Sequence, residues 1–318
     1  MNELTKIKVP QHNREILPVD LRSAYDSLGK GLLSFSDSIN LPGNRQIILD
    51  NYQLLWAAVR IDHPEIFYVD RRFELTNGRA LEMHPHYTCS QEEAETISLE
   101  LMKEVRRIDK ALAITRDPFQ IMLSIHDWIA STIEYDEIAP HPFDVIGALL
   151  DHKAVCQGIS AAASLMLNYA DIPCVTFFGK IRQKETWHAW NVVEMNNKRV
   201  HMDITNDLVS IQGILSHKHM AMSEPTAHRV FSWHGQVGSP TDFDYYLSTG
   251  NFAHTVAELK QIANRSASAG ITAGEIKVPS ISAGNAAKII STAFDGHLIE
   301  YTYSPELEII SFRVHSVR

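Results

Sequence analysis

Cys156 stands where polar residues give way to a long run of small and apolar residues, at positions 157–169. That run predicts a helix whose N-terminus lies within one residue of Cys156. The unpaired N–H groups and the dipole of a helix N-terminus favour a thiolate, which is the nucleophilic form of cysteine. Taken alone, however, Cys156 favours a buried structural cysteine, because free cysteine is among the most buried residue types. Thiol chemistry therefore requires a base nearby.

His188 is the best placed base among the 16 histidines of the chain. Its strand, residues 186–195, runs into Asn196-Asn197, which predicts a two-residue turn and an antiparallel return. With such an even loop, His188, Trp190 and Asp203 share one face, and Asp203 lies diagonally across from His188 within ~7–8 Å. The imidazole could take the thiol proton while the carboxylate fixes its tautomer. The same spacing also fits a core hairpin with a satisfied histidine and an aspartate that caps a turn.

Three ordered sequence blocks carry a resemblance to a known family. They are Ala154-Val155-Cys156-Gln157-Gly158, His188-Ala189-Trp190-Asn191 and Asp203-Ile204-Thr205-Asn206-Asp207. In this order they resemble the transglutaminase-like superfamily, and within it the bacterial branch of proposed cysteine proteases. The resemblance covers roughly residues 120–210.

The resemblance implies a fold and a set of roles. The fold class is α+β, with a papain-like or transglutaminase-like core in which a helix packs on an antiparallel sheet. Cys156 would be the nucleophile, His188 the general base and acid, and Asp203 the residue that orients the imidazole. The backbone N–H of Cys156 and a side chain, either Tyr135 or Gln157, would hold the oxyanion.

The groove around this site is less well defined by the sequence. Trp190 is a candidate groove residue that could shield the ion pair from water. Ile159 and Asn206 stand where the family often has aromatic residues. These two positions shape the groove and do not take part in the chemistry. The two departures therefore leave the identity of the substrate open, but they do not affect the three residues of the triad.

The implied reaction is acyl transfer through a thioester on Cys156, without a cofactor or a metal ion. The expected substrate is a peptide or protein carboxamide, and hydrolysis by a peptidase or amidase is expected over cross-linking by a transglutaminase. Acetyl transfer from a thioester donor would use the same triad. A different class of function is a catalytically idle binding or structural module that retains the fold.

Composition excludes several classes of protein. The chain has 318 residues, 45% of them hydrophobic, and a formal net charge of −9. This acidic balance disfavours nucleic acid and anionic membranes as partners. The N-terminal sequence lacks the apolar core of a signal peptide and no segment is apolar enough to span a bilayer, so we expect a cytoplasmic protein. The oligomeric state is not indicated.

Changes in composition divide the chain into three regions. Residues 1–115 predict a helical and β-hairpin N-terminal region, residues 116–248 the catalytic core, and residues 249–318 a small α+β C-terminal module. Asn77-Gly78 predicts a tight hairpin turn with positive φ. Start signals at Ser90, with Glu93, and at Asp117-Pro118 predict two helices.

The remaining chemistry-bearing residues have ordinary interpretations. The His-Pro-His motif at residues 84–86 and the His-Lys-His motif at residues 217–219 lack neighbouring ligands at metal spacing, so solvated loops are expected. Cys174 should start a buried strand, and Cys89 should lie beside a helix cap. Trp187 should pack in the core of the sheet.

Overall fold

A computed structural model describes residues 2–112, 115, 117–208, 215–233, 237–238 and 244–315. The chain forms helices and largely antiparallel strands, which confirms the predicted α+β class. The chain divides into two compact units, Met1–Phe177 with Ala189–Met195, and Phe178–His188 with Asn196–Arg318. The division into three regions stays a prediction.

The first unit is mostly helical. Its helices are α1 (His12–Ile16), α2 (Val19–Leu33), α3 (Arg45–Asp62), α4 (Gln91–Leu112), α5 (Pro118–Thr132) and α6 (Cys156–Tyr169), with a 3-10 turn at Glu3–Lys6 and a π-helical turn at Gly147–Asp151. Its strands are β1 (Ile39–Asn40), β2 (Val69–Asn77) and β3 (Leu81–Tyr87), in the order β1-β3-β2, and a short parallel pair, β4 (Glu134–Tyr135) and β5 (Lys153–Ala154).

Two strands, β6 (Cys174–Ile181) and β7 (Thr186–Met195), contribute residues to both units. The second unit adds β8 (Lys198–Met202), α7 (Ile204–Asp207), α8 (Glu224–Val230), β9 (Phe231–Ser232), α9 (Tyr245–Thr249), α10 (Val256–Ser268), β10 (Ala273–Lys277), α11 (Ala283–Ala293), β11 (Ile299–Ser304) and β12 (Ile309–Val314). The strand order is β8-β7-β6-β9 in one sheet and β10-β12-β11 in the other.

Both predicted helix starts are confirmed by their caps. The Ser90 hydroxyl accepts the N–H of Glu93 at 3.2 Å, and the Glu93 carboxylate accepts the N–H of Ser90 at 2.8 Å, so α4 begins with a capping box. Asp117 caps α5 by accepting the N–H of Phe119 at 3.1 Å, with Pro118 in the first turn. None of the helices that the structure describes is both long and apolar enough to cross a membrane.

One local prediction needs correction, one is confirmed in part, and one helix was not predicted. The hairpin β2–β3 pairs Asn77 with Leu81, so its loop has three residues and Gly78 does not adopt positive φ. The sequence predicts a short helix at residues 142–150, and the structure has helical residues at 145–146 and the π-helical turn at Gly147–Asp151, so this prediction is confirmed in part. The helix α10 was not predicted, although the Thr255–Glu258 capping box starts it.

The helix α6 packs on strand residues of its own unit through buried polar contacts. The Asn191 side chain donates to the carbonyl of Ser160 at 2.9 Å, and the Ser164 hydroxyl donates to the carbonyl of Cys174 at 3.0 Å. Cys174 is fully buried at the start of β6, as predicted. These bonds satisfy groups that would otherwise be costly to bury, and they fix the rotation of α6.

Residues 249–315, called the C-terminal module below, contain a cluster of buried apolar side chains. Helix α11 packs on β11 and β12 of the sheet β10-β12-β11, and α10 packs against α11. The core is formed by Ala253, Leu259, Ile262, Ala263, Ile276, Val278, Ile281, Ala286, Ala287, Ile289, Ile290, Phe294, Ile310 and Phe312.

Candidate active site

Cys156 is the first residue of α6 and is half-buried. The N-cap residue before it, Val155, has extended backbone and a side chain without an acceptor atom. The first turn of α6 therefore has no capping side chain at its N-terminus, which is the end of a helix that favours an oxygen or an anion. The predicted placement of Cys156 at a helix start is confirmed.

Gly158 lets the first turn of α6 approach the preceding loop closely. A Cβ atom at this position would lie 2.7 Å from the carbonyl oxygen of Pro142 and 3.0 Å from that of Asp144. Side-chain atoms do not tolerate such distances to backbone. Packing therefore explains the glycine of the Cys-x-Gly block. Its lack of a side chain allows the helix that carries Cys156 to lie against the preceding loop.

Tyr135 is brought to the same place by the parallel pair β4–β5. Tyr135 pairs with Ala154, two residues before Cys156, and Lys153 lies 3.5 Å from Glu134 and 3.4 Å from Asp136. Burial raises the pKa of Tyr135, and the charge that a Cys156 thiolate would carry raises it further. The charge of Glu137 and a hydrogen bond to its carboxylate raise this pKa as well, so the phenol keeps its proton at neutral pH.

The other oxyanion and groove candidates occupy different surroundings. Gln157, in the first turn of α6, lines a small cavity with Phe143 and Asp144. Trp190 is completely buried and packs edge-on against Phe177, with 5.3 Å between ring centroids, so it has no exposed surface to line a groove. Trp187, expected in the core, is 72% exposed and lies near the Lys180 ammonium.

His188 and Asp203 form a buried hydrogen-bonded pair. His188 Nε2 lies 2.8 Å from Asp203 Oδ2, and the side chains are 6% and 1% exposed. The turn at Asn196-Asn197 has positive φ at both residues, as a two-residue hairpin turn requires. The predicted contact across the hairpin is therefore present. Asp203 is not part of strand β8, which ends at Met202. It contacts His188 from the position directly after the strand.

Asp203 is held in place by its own helical turn. It is the N-cap of α7, and Asn206 donates its backbone N–H to Oδ1 at 3.4 Å and its side-chain amide to Oδ2 at 2.6 Å. The sequence treated Asn206 only as a departure from the family pattern. Its amide instead shares the carboxylate oxygen that receives His188. On the other side, Phe231 stacks on the imidazole with 5.7 Å between ring centroids.

A second histidine–carboxylate pair lies beside the first. His219 Nδ1 is 3.0 Å from Asp207 Oδ1, and the carbonyl of His219 accepts the N–H of Asp203 at 3.0 Å. Burial lowers the pKa of His219, but the charges of Asp207 and Asp203 and the bond to Asp207 outweigh it, so the net pKa is raised. The expected solvated loop at residues 217–219 is therefore wrong, since His217 also stacks on Tyr245.

The His-Pro-His motif at residues 84–86 lies in strand β3 and not in a loop. His84 is 2.9 Å from the hydroxyl of Thr76 across the hairpin and 3.2 Å from the carbonyl of Asp37. Both partners suit a histidine that satisfies its ring nitrogens within the protein. Cys89 directly precedes the Ser90 cap, as predicted.

Residues 107–204 match the sequence model of the transglutaminase-like superfamily. This part of the chain is similar to that superfamily. The transglutaminase-like segment ends one residue after Asp203 and includes Tyr135, Cys156 and His188. No curated protein matches the chain.

Two solved structures are similar over part of the chain. One is a TGase, with 16% identity over 54% of this chain and 52% of that chain and a TM-score of 0.32. The other is a proposed cysteine protease from Cytophaga hutchinsonii, with 15% identity over 45% of this chain and 64% of that chain and a TM-score of 0.29. The chain spans about half and just under two thirds of their respective lengths.

Proposed function

We propose that this protein is a cysteine-dependent acyl-transfer enzyme with Cys156 as nucleophile, His188 as general base and acid, and Asp203 as the orienting carboxylate. The observation that carries the proposal is the buried bond between His188 Nε2 and Asp203 Oδ2. With that nitrogen donating to the carboxylate, a neutral ring keeps its basic lone pair on Nδ1. This is the tautomer that can accept a thiol proton.

The reaction then follows the chemistry of these groups. The Cys156 thiol gives its proton to His188 Nδ1, and the sulfur attacks the carbonyl carbon of a carboxamide or peptide. The carbonyl oxygen becomes an oxyanion, for which we propose the Cys156 N–H and the Tyr135 hydroxyl as donors. When the C–N bond breaks, His188 returns the proton to the leaving amine or ammonia, and a thioester remains on Cys156.

The second half of the reaction decides the enzyme class. We propose water as the acceptor, activated by His188, which releases a carboxylic acid and restores the thiol. A primary amine in place of water would make the protein a transglutaminase, which is the alternative reaction for the same thioester. Neither path needs an oxidant, a reductant or a metal ion to balance.

The test uses a denatured, lysine-methylated protein as acyl donor, incubated with the full chain, with and without a fluorescent primary amine. Mass spectrometry then scores peptide cleavage, deamidation of carboxamides and amine incorporation. A parallel sample receives acetyl-CoA and is examined for acetylated Cys156. Cys156→Ala is the inactive variant, and Cys89→Ala is the matched control that should keep activity.

The products separate the alternatives. Cleavage or deamidation that requires Cys156 supports a hydrolase, while amine incorporation that requires Cys156 assigns a transglutaminase. Acetylated Cys156 without the other products would show that the acyl donor is an acetyl thioester and not a carboxamide. If the wild type yields no product and hydroxylamine traps no acyl group from Cys156, the protein is an idle module and the proposal is wrong.

A further inference from the structure

A buried carboxylate of the C-terminal module, Glu275 in β10, lies within hydrogen-bond distance of four donors. Its Oε1 accepts from the hydroxyls of Ser216 at 3.2 Å and Ser311 at 3.1 Å. Its Oε2 accepts from the backbone N–H of His217 and the phenol of Tyr246, each at 2.9 Å. A buried charge is tolerated when it is satisfied in this way, so Glu275 has defined partners and a fixed position.

Two of these four donors belong to the segment Ser216–His219, which lies outside the module. The Ser216 hydroxyl is also 3.1 Å from Asp207 Oδ1, so it lies between two carboxylates and can donate its one proton to either of them. At the other end of the segment, the N–H and the ring of His219 both contact Asp207 at 3.0 Å. Glu275 and Asp207 therefore hold this segment from its two sides.

The same segment supports the candidate triad. The carbonyl of His219 accepts the N–H of Asp203 at 3.0 Å, and Asp203 holds His188. A continuous series of bonds therefore runs from Glu275 through Ser216 and His217 to His219, and on to Asp203. Every residue in this series belongs to one compact unit.

We infer that Glu275 is a positioning residue for the His188–Asp203 pair, and that the C-terminal module is a required part of the catalytic unit. Glu275 fixes the segment Ser216–His219, whose last carbonyl sets the backbone of Asp203. The inference rests on the proposed function for its catalytic consequence. A misplacement of about 1 Å at a general base can lower a rate by ~100-fold, so loss of this support should be measurable.

Lys277 provides a matched control on the same strand. It is two residues from Glu275, is similarly buried, and pairs with Asp244 at 2.5 Å. Its side-chain partner belongs to the segment before α9 and not to Ser216–His219. Removal of either charge should lower the stability of the module, because each leaves buried partners unsatisfied. Only the removal of the Glu275 charge should disturb His188.

The experiment compares Glu275→Gln and Lys277→Met with the wild type, all as full chains. The imidazole nitrogen signals of His188 are followed by NMR as a function of pH, together with the rate of Cys156 alkylation by iodoacetamide. We expect Glu275→Gln to lower the population of the Nε2-protonated tautomer of His188 and to slow alkylation about 10-fold or more. Lys277→Met should keep both wild-type values, even if its unfolding temperature falls.

The two readouts separate two kinds of failure. If Glu275→Gln leaves the His188 tautomer and its titration as they are in Lys277→Met, Glu275 has a structural role alone and the inference is wrong. If instead the tautomer changes but alkylation does not, even in His188→Ala, then the positioning is real and the proposed function fails. A Glu275→Gln protein that does not fold is replaced by Ser216→Ala, which removes the bridging hydroxyl only.

Discussion

The Asn206 side-chain amide and His188 Nε2 meet at the same oxygen, Asp203 Oδ2, at 2.6 Å and 2.8 Å. A carboxylate oxygen can accept both bonds, so the amide fixes the carboxylate while the carboxylate fixes the imidazole. Phe231 stacks on the ring and limits its rotation. The imidazole is thus held in one orientation before any substrate arrives.

The three cysteines should differ in their reactivity toward iodoacetamide. Burial raises the pKa of Cys174, and burial together with the charge of Glu93 raises that of Cys89. Cys156 is half-buried at the start of a helix. We therefore expect limited alkylation at neutral pH to modify Cys156 first and Cys174 only after unfolding.

Peptide mapping by mass spectrometry after short exposures measures this order. Alkylation in urea provides the control, since all three thiols become accessible there. Faster modification of Cys89 than of Cys156 in the native protein would contradict the prediction.

Gly158→Ala should destabilise the protein because the new Cβ would meet the carbonyl oxygen of Pro142 at 2.7 Å. Crowding of this kind typically costs about 1–3 kcal/mol in the free energy of unfolding. The matched control is Gly284→Ala in α11, where a Cβ would meet no atom of the described residues within 4 Å. That change should stabilise by about 0.4–1 kcal/mol. Urea unfolding of both variants checks the prediction, and equal signs would contradict it.

The His219–Asp207 pair should make stability depend on pH. The pKa of His219 is raised above its usual 6.5, so the folded state binds this proton more tightly than the unfolded state does. Its contribution is fully present below the unfolded value and is lost as the pH rises through the folded value. His219→Gln should therefore cost most in mild acid, about 1–3 kcal/mol, and less in mild base.

Urea unfolding of His219→Gln and the wild type across this pH range measures the difference. The control is His315→Gln, which removes a surface histidine that is 3.2 Å from Glu300. Exposed pairs contribute about 0–1 kcal/mol. A His219→Gln difference as small as that of the control, or one that grows with pH, would be evidence against the pair.

Local signals in the sequence were sufficient for the hairpin and for the helix starts. The turn at Asn196-Asn197 sets the register that brings Asp203 to His188, and the caps at Ser90 and Asp117 start α4 and α5 as expected. These features depend on residues a few positions apart. The chemistry of short-range turns and caps is therefore readable before the fold is known.

Long-range contacts were not readable in the same way. The parallel pair of Tyr135 with Ala154 is two residues long and has no pattern of its own. Glu275 reaches Ser216 and Tyr246 across 59 and 29 residues of sequence. Trp187 was expected in the core, but it is exposed. Alternation along a strand shows that two faces exist, but it does not show which face another element covers.

The central claim, that His188 activates Cys156, is tested most directly by the rate of iodoacetamide alkylation at Cys156 near neutral pH. The wild type is compared with His188→Ala and Asp203→Asn, and with His86→Ala as a control at an exposed position. Loss of a general base typically costs ~100-fold or more, so we expect the rate to fall by at least about 10-fold in His188→Ala and by less in Asp203→Asn. The control should match the wild type. Equal rates in His188→Ala and the wild type would contradict the account.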